Sequence, residues 1–316
     1  MRRPARFALA AALTLYAGAI ALWIAAPLGF PAEAARHFTP HLALAGLGLG
    51  LAALALSGWR TALTPVLPAL ALSWAWLGAD FVPDQPAGEG RALIVAAFNA
   101  HGSEAALERA AAWAQAERVD VLALSEVETV DAARLRALFP GLPHLLYDTE
   151  TVDFPGTTYT TRIALLSRSP IEAFGDGAEE TDPAYDRPAL LARLRTGGAP
   201  VTLAVAHPFP PRTRGAVKRR GAMFEDLADT LDGTPDFILL GDLNASVWSP
   251  DFGRLPGRRA GDPRFVTTFP SWLPRGGLVL DHILVGAAFT VTRAEVGPDL
   301  GSDHRPVLAQ IEPEAR

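Results

Sequence analysis

Apolar and polar positions alternate with two different rhythms along this 316-residue chain. Up to residue 79 the apolar runs are long and nearly free of charge: "FALAAALTLYAGAIALWIAAPLGF" from Phe7, "HLALAGLGLGLAALALSG" from His41 and "TALTPVLPALALSWAWLG" from Thr61. Each approaches the roughly 20 residues that a helix needs to cross a bilayer, so the pattern predicts three transmembrane helices. A cleaved signal peptide would fit the basic start "MRRPAR" but would leave the next two runs unexplained. Arg2, Arg3 and Arg6 precede the first run and Arg60 separates the second from the third, whereas Arg36 is partly offset by Glu33. The positive-inside rule then places the N-terminus in the cytoplasm and everything after Ala79 on the far side of an inner or plasma membrane.

From residue 80 to residue 90 the chain is polar and rich in Pro and Gly, as in a linker. Beyond it the rhythm shortens. "ALIVAAF", "VDVLALSEV", "TRIALLSRSPI", "ALLARLR", "VTLAVAH", "DFILLGDLN", "LDHILVG" and "PVLAQIE" are apolar runs of strand length separated by turn-rich segments. Two stretches, "SEAALERAAAWAQAE" and "GAVKRRGAMFEDLADTLD", carry apolar residues at helical spacing instead. Many short buried strands interleaved with a few helices predict an α/β sandwich. The expected organisation is a membrane anchor over 1–79, a linker over 80–90 and a single globular domain over 91–316.

Charge and cysteine content narrow the chemistry. The chain has 28 basic and 34 acidic residues, five and one of which fall in the first 79, leaving a net charge of −10 on the remainder. That argues against tight nonspecific binding of a polyanion, which is driven by neutralising phosphates. The absence of Cys excludes disulfides, thiolate nucleophiles and cysteine-type zinc sites.

The predicted strands end in polar residues. "IVAAFNAHG" ends in Asn99, "VLALSEV" carries Glu126, "LAVAHPFP" leads into His207 and "ILLGDLNAS" supplies Asp242 and Asn244. Asp281 opens "LDHILVG", and "GSDHRPV" holds Asp303 and His304. Singly, each has a plain structural role as a helix cap, turn former or solvated strand end. Together, carboxylates, amides and histidines at strand ends are the donor set of a hard cation with acid/base partners.

These marks, in this order, resemble the endonuclease/exonuclease/phosphatase superfamily, whose fold is shared by DNase I-like nucleases, abasic-site endonucleases, bacterial sphingomyelinases and inositol polyphosphate 5-phosphatases. The resemblance runs from about Ala92 to Ile311. It implies a four-layer α/β sandwich of two packed mixed β-sheets, and a membrane-anchored bacterial enzyme that hydrolyses phosphoesters with Mg²⁺, for which Mn²⁺ can substitute. Glu126 resembles the family's metal-binding carboxylate, with Asn99 and Asp303 at the same ion. Asp242 and Asn244 resemble the pair that contacts the attacking water and the phosphate. His304 resembles the catalytic histidine, held by Asp281, and His207 the second histidine of the DNase I and sphingomyelinase branches. The implied substrate is a nucleic acid, a phospholipid or a small phosphodiester, with no obligate protein partner. Arg162 departs from the family, which more often has Gly there, and Arg187 is expected in a surface ion pair. A catalytically inactive binding domain of the same fold is the alternative, and would be marked by loss of one of the strand-end residues.

Overall fold

The structure, a computed structural model, describes residues 2–86, 92–154, 157–173, 189–195 and 199–313. Arg187 and residues 87–90 of the expected linker lie outside the described residues. The chain forms two compact units: Met1–Ala79 with Pro210–Lys218 and Ala245–Gly253, and Asp80–Phe209 with Arg219–Asn244 and Arg254–Arg316.

In the first unit the three apolar runs are helices: α1 (Arg2–Ala25), α3 (Thr39–Ser57) and α4 (Trp59–Leu77), with the short α2 (Ala34–His37) after the first. Small residues set how closely α3 and α4 approach. Ala43, Gly46, Gly50 and Ala53 are buried along one face of α3, and Ala62, Pro65, Ala69 and Leu72 along α4. A side chain at Gly46 would overlap Tyr16 and Ala69, and one at Gly50 would overlap Val66. This small-residue packing suits helices that gain nothing from expelling water from between them. The α1–α3 connection contributes two buried polar side chains: Ser249 Oγ donates to Glu33 Oε1 (2.6 Å) and Ser246 N to His37 Nδ1 (3.1 Å).

Of the three expected membrane spans, two meet the length and apolar composition of a membrane-crossing helix. The stretch Arg3–Leu28 and α3 are long and apolar enough to cross a membrane, with mean hydropathies of 2.0 and 1.6. Helix α4 is equally long, but Arg60, Pro65, Pro68 and the polar Thr and Ser positions dilute its hydropathy below theirs.

The second unit contains two six-stranded sheets. The strands are β1 (Leu93–Asn99), β2 (Val121–Ser125), β3 (His144–Phe154), β4 (Thr157–Ser167), β5 (Ile171–Ala173), β6 (Ala189–Leu194), β7 (Val201–Ala206), β8 (Phe237–Asp242), β9 (Arg258–Arg259), β10 (Asp281–Val285), β11 (Phe289–Val296) and β12 (Val307–Pro313). One sheet has the order β11-β12-β1-β2-β4-β3 and the other β5-β6-β7-β8-β10-β9. Each is mixed, with one parallel pair, β1/β2 and β7/β8.

Period-two alternation sorts the side chains between layers. Val95, Ala97, Val121, Ala123, Ile163 and Leu165 of the first sheet share one core with Leu203, Val205, Ile238, Leu240, Ile283 and Val285 of the second. The intervening residues Ala96, Phe98, Leu122, Leu124 and Leu166 face the other way, against Leu107, Ala110 and Trp113 of α5 (Glu104–Ala116) and Leu135 of α6 (Ala132–Leu138). The Ser103 and Asp131 side chains cap these two helices by accepting from Ala106 N and Arg134 N. Helix α7 (Arg214–Leu231) buries Met223, Phe224, Leu227 and Leu231 at helical spacing.

This topology brings chemistry to one edge. Strands β1, β2, β7 and β8 end there. Strands β10 and β12 begin there, because they run antiparallel to β8 and β1.

Candidate active site

Asn99 is the last residue of β1 and Glu126 directly follows β2. His207 follows β7, while Asp242 closes β8 opposite Asp281, the first residue of β10. Asp303 and His304 lie just before β12. The seven residues share one cluster, and Asn244 adjoins it from the turn after β8.

The β7 and β8 ends approach closely because residue 241 is Gly. Its φ is 143°, and a Cβ there would overlap the Ala206 carbonyl oxygen. The chain then turns so that Asn244 N donates to Asp242 Oδ1 (2.9 Å), with Asn244 in the left-handed region at φ 46°.

Asp242 is the hub. Asn99 Nδ2 donates to its Oδ2 (3.0 Å) and to Glu126 Oε1 (2.9 Å). His207 Nε2 lies 3.6 Å from Asp242 Oδ2 and 3.4 Å from Glu126 Oε1. From the other side His304 Nε2 stands 3.7 Å from Asp242 Oδ2, and its Nδ1 donates to Asp281 Oδ2 at 2.7 Å. The Phe269 ring lies against His304, 5.0 Å between centroids.

Such packing of charge sets the protonation states. Burial disfavours the charged form of every one of these groups, but opposite charges outweigh it for most. Burial would lower the pKa of His207, yet Asp242 and Glu126 hold it at about 10. Burial acts likewise on His304, and Asp281 and Asp242 hold it at about 10. Glu126 would rise on burial, but His207 and the Asn99 amide bring it to about 2. Asp242 is lowered against its burial, first by the His304 charge. Of these three carboxylates only Asp281 is raised, by complete burial and then by Asp242, against the pull of His304. At neutral pH both histidines are therefore imidazolium ions beside the ionised Glu126 and Asp242.

The cluster fits a divalent ion at one place better than elsewhere. Glu126, His207 and Asp242 have ligand atoms within 4.8 Å of one another, as do Asp242, Asp281 and His304. Both groups, however, are already balanced by an imidazolium. The oxygens on the open side are Glu126 Oε2 and Asp303 Oδ1, where the side chains are 19% and 37% exposed. Carboxylate oxygens with room for waters beside them suit a hard cation. Asn99, expected on the ion, has its Nδ2 on two carboxylates and its Oδ1 accepting from His101 N (2.9 Å), so both ends of the amide are engaged. Asn244 Nδ2 donates to Pro208 O (2.8 Å).

Several supporting residues carry no signal in the pattern of apolar runs and strand-end polar residues. Ser302, within the "SDH" unit, donates from Oγ to Asn99 O (2.7 Å) and accepts from His304 N, tying the β12 lead-in to the end of β1. Thr268 Oγ1 accepts from the backbone of Leu280 and Asp281. The buried Arg220 guanidinium donates to Asn244 O (2.8 Å) and so fixes the turn after β8. His101, two residues beyond Asn99, places Nδ1 beside Glu126 and Asp303.

A model of the Endonuclease/Exonuclease/phosphatase family matches residues 96–304. No curated protein matches the chain. Among solved structures, the chain is similar to an endonuclease/exonuclease/phosphatase from Beutenbergia cavernae DSM 12333, at 21% identity over 71% of this chain and 72% of that one, with a TM-score of 0.57. It is also similar to an endonuclease/exonuclease/phosphatase family protein from Bacteroides thetaiotaomicron, at 16% identity over 72% and 100% of the two chains, with a TM-score of 0.52. A third similar structure is the endonuclease domain of TRAS1, a telomere-specific non-LTR retrotransposon, at 15% identity over 71% and 100%, with a TM-score of 0.50. At these identities the likeness establishes the fold.

Proposed function

This chain belongs to the endonuclease/exonuclease/phosphatase family, and from that premise we propose that it is a metal-dependent hydrolase of phosphoester bonds, carried near a membrane by its N-terminal helices. The observation that carries the reading is the convergence on Asp242 Oδ2 of Asn99 at 3.0 Å, His207 at 3.6 Å and His304 at 3.7 Å, with His304 backed by Asp281 at 2.7 Å. Strongly perturbed imidazoles converging on one buried carboxylate at strand ends are the kind of cluster found at functional sites.

Glu126 and Asp303 would hold the ion, Mg²⁺ by the family resemblance, which would neutralise charge on the phosphoryl oxygens. Asp242, ionised and acceptor-only, orients the attacking water, and Asn244 adds an amide donor for the phosphate once it leaves Pro208. His304, kept cationic by Asp281, donates to the phosphoryl group or leaving oxygen. His207, equally cationic, adds positive charge on the other side of Asp242. Asn99 orients the two carboxylates through its shared Nδ2.

Membrane attachment is supported by exposure. Apart from Tyr147, Phe265 and Trp272, every large hydrophobic residue that stands exposed among the described residues lies between Phe7 and Leu77. Such a dense apolar surface suits lipid rather than water.

The test is hydrolysis of bis(p-nitrophenyl) phosphate by the full chain in detergent. Activity should vanish with EDTA, return with Mg²⁺ or Mn²⁺, and fall by about 10³ or more in His304→Ala. Hydrolysis that survives both chelation and the substitution would sink the reading.

A further inference from the structure

Four non-glycine residues have a left-handed backbone among the described residues: His101 (φ 49°), Arg118 (φ 56°), Glu126 (φ 54°) and Asn244 (φ 46°). This conformation is unfavourable for residues with a Cβ and persists where the surroundings enforce it. Glu126 and Asn244 have roles in the proposed reaction. His101 lies at the same site and has none.

Its backbone N donates to Asn99 Oδ1 (2.9 Å), and Gly102 follows at φ 62°. These two consecutive left-handed residues carry the imidazole across the opening. His101 Nδ1 lies 3.4 Å from Glu126 Oε2 and 3.6 Å from Asp303 Oδ1, and the side chain is 63% exposed. The two oxygens lie on the open side of the centre. Glu126 Oε1 takes Asn99 and His207, whereas Oε2 faces His101; Asp303 Oδ1 has only a long contact from Ser302 Oγ at 3.4 Å besides.

We infer that His101 Nδ1 is a nitrogen ligand of the divalent ion beside Glu126 Oε2 and Asp303 Oδ1, and that this nitrogen turns the site's preference from Mg²⁺ towards Mn²⁺. Two donors at right angles on an ion about 2.1 Å from each lie about 3 Å apart. The observed 3.4 and 3.6 Å are slightly wider, so a small inward rotation of an exposed ring closes the set. Both separations are also long for a hydrogen bond, so no direct bond fixes the ring in place of an ion. An all-oxygen set suits Mg²⁺, whereas an imidazole donor strengthens binding along the first-row series from Mn²⁺ onward. The required tautomer keeps the proton on Nε2.

This inference rests on the metal-dependent reading of the site, and the experiment separates the two. The full chain in detergent is titrated with Mn²⁺ and with Mg²⁺, and the Mn²⁺ complex is examined by pulsed EPR for ¹⁴N coupling from a bound imidazole. The variant is His101→Asn, since Asn tolerates the left-handed backbone, with circular dichroism to confirm folding. The wild type should show the ¹⁴N coupling. The variant should lose it, and its Mn²⁺ affinity should fall about tenfold while its Mg²⁺ affinity changes far less. Coupling that persists in the variant would assign the nitrogen to His207 or His304 and overturn the inference. Mn²⁺ binding that is abolished by Glu126→Gln but shows no ¹⁴N coupling in the wild type would also overturn it, leaving His101 as an ion-pair partner. Absence of binding by either ion would remove the metal-dependent reading itself, and this inference with it.

Discussion

Asp242 is a structural counter-charge as well as a candidate catalytic group, and substitutions should separate the two roles. Asp242→Ala would leave His207 and His304 buried without their shared anion, at a cost of about 3–5 kcal/mol. Asp242→Asn keeps an acceptor for Asn244 N and nearly the same shape. It should fold with a smaller loss of stability while hydrolysis falls by about 10³ or more; near-wild-type turnover in this variant would remove Asp242 from the chemistry. The pKa shifts predict a second residue-scale effect in metal-free protein. His207 and His304 are raised from 6.5 to about 10, so their contribution is complete below pH 6.5 and is lost as pH rises through about 10. Glu126 is lowered from 4.5 to about 2, so its contribution is complete above pH 4.5 and is lost as pH falls through about 2. Urea midpoints measured in EDTA should therefore be highest between about pH 4.5 and 6.5 and decline on both sides. His207→Gln should flatten the alkaline limb, and an unchanged limb in that variant would show that the charge on His207 contributes nothing to it.

At the scale of elements, the β7/β8 approach depends on Gly241. Gly241→Ala must place a methyl group against the Ala206 carbonyl at a φ that side chains rarely adopt, and should cost about 2–4 kcal/mol by chemical denaturation. A loss below about 0.5 kcal/mol would mean that the two strands can separate without penalty. The same strands show what the sequence made legible. "VTLAVAH" and "DFILLGDLN" are almost wholly buried in β7 and β8, and continuous burial writes a continuous apolar run. β3 and β11 were not read as strands. They are the two edges of their sheet, and the polar "DTETVDF" and the half-buried "FTVTRAEV" carry little apolar signal. Helix α6, only seven residues long, was missed for want of two full helical periods. The third apolar run is a helix as expected, but its prolines and Arg60 give it a weaker membrane signature than its length suggested.

For the whole molecule, the site was legible as a set of residue types at strand ends, because a rigid sheet edge must display whatever follows each strand. What could not be read was which group faces which: that Asn99 spends both ends of its amide, or that His101 reaches Glu126 and Asp303, depends on backbone turns that leave no periodic trace. The N-terminal helices pose the corresponding question of where the molecule resides, and two observations bear on it. The described helices expose Leu15, Ile24, Leu51, Leu67 and Trp74, and the segment as a whole carries only five basic residues and one acidic. The remainder, at a net charge of −10, has little electrostatic attraction to an anionic bilayer and would be repelled by one if unanchored. Apolar insertion and surface charge thus predict opposite responses to salt. If the helices insert, the full chain should stay with sedimented membranes in 1 M salt (~3 Å Debye length) and at alkaline carbonate pH, and should be released only by detergent. Release by salt alone would show that the attachment is electrostatic or through another protein, and would end the case for these helices as an anchor.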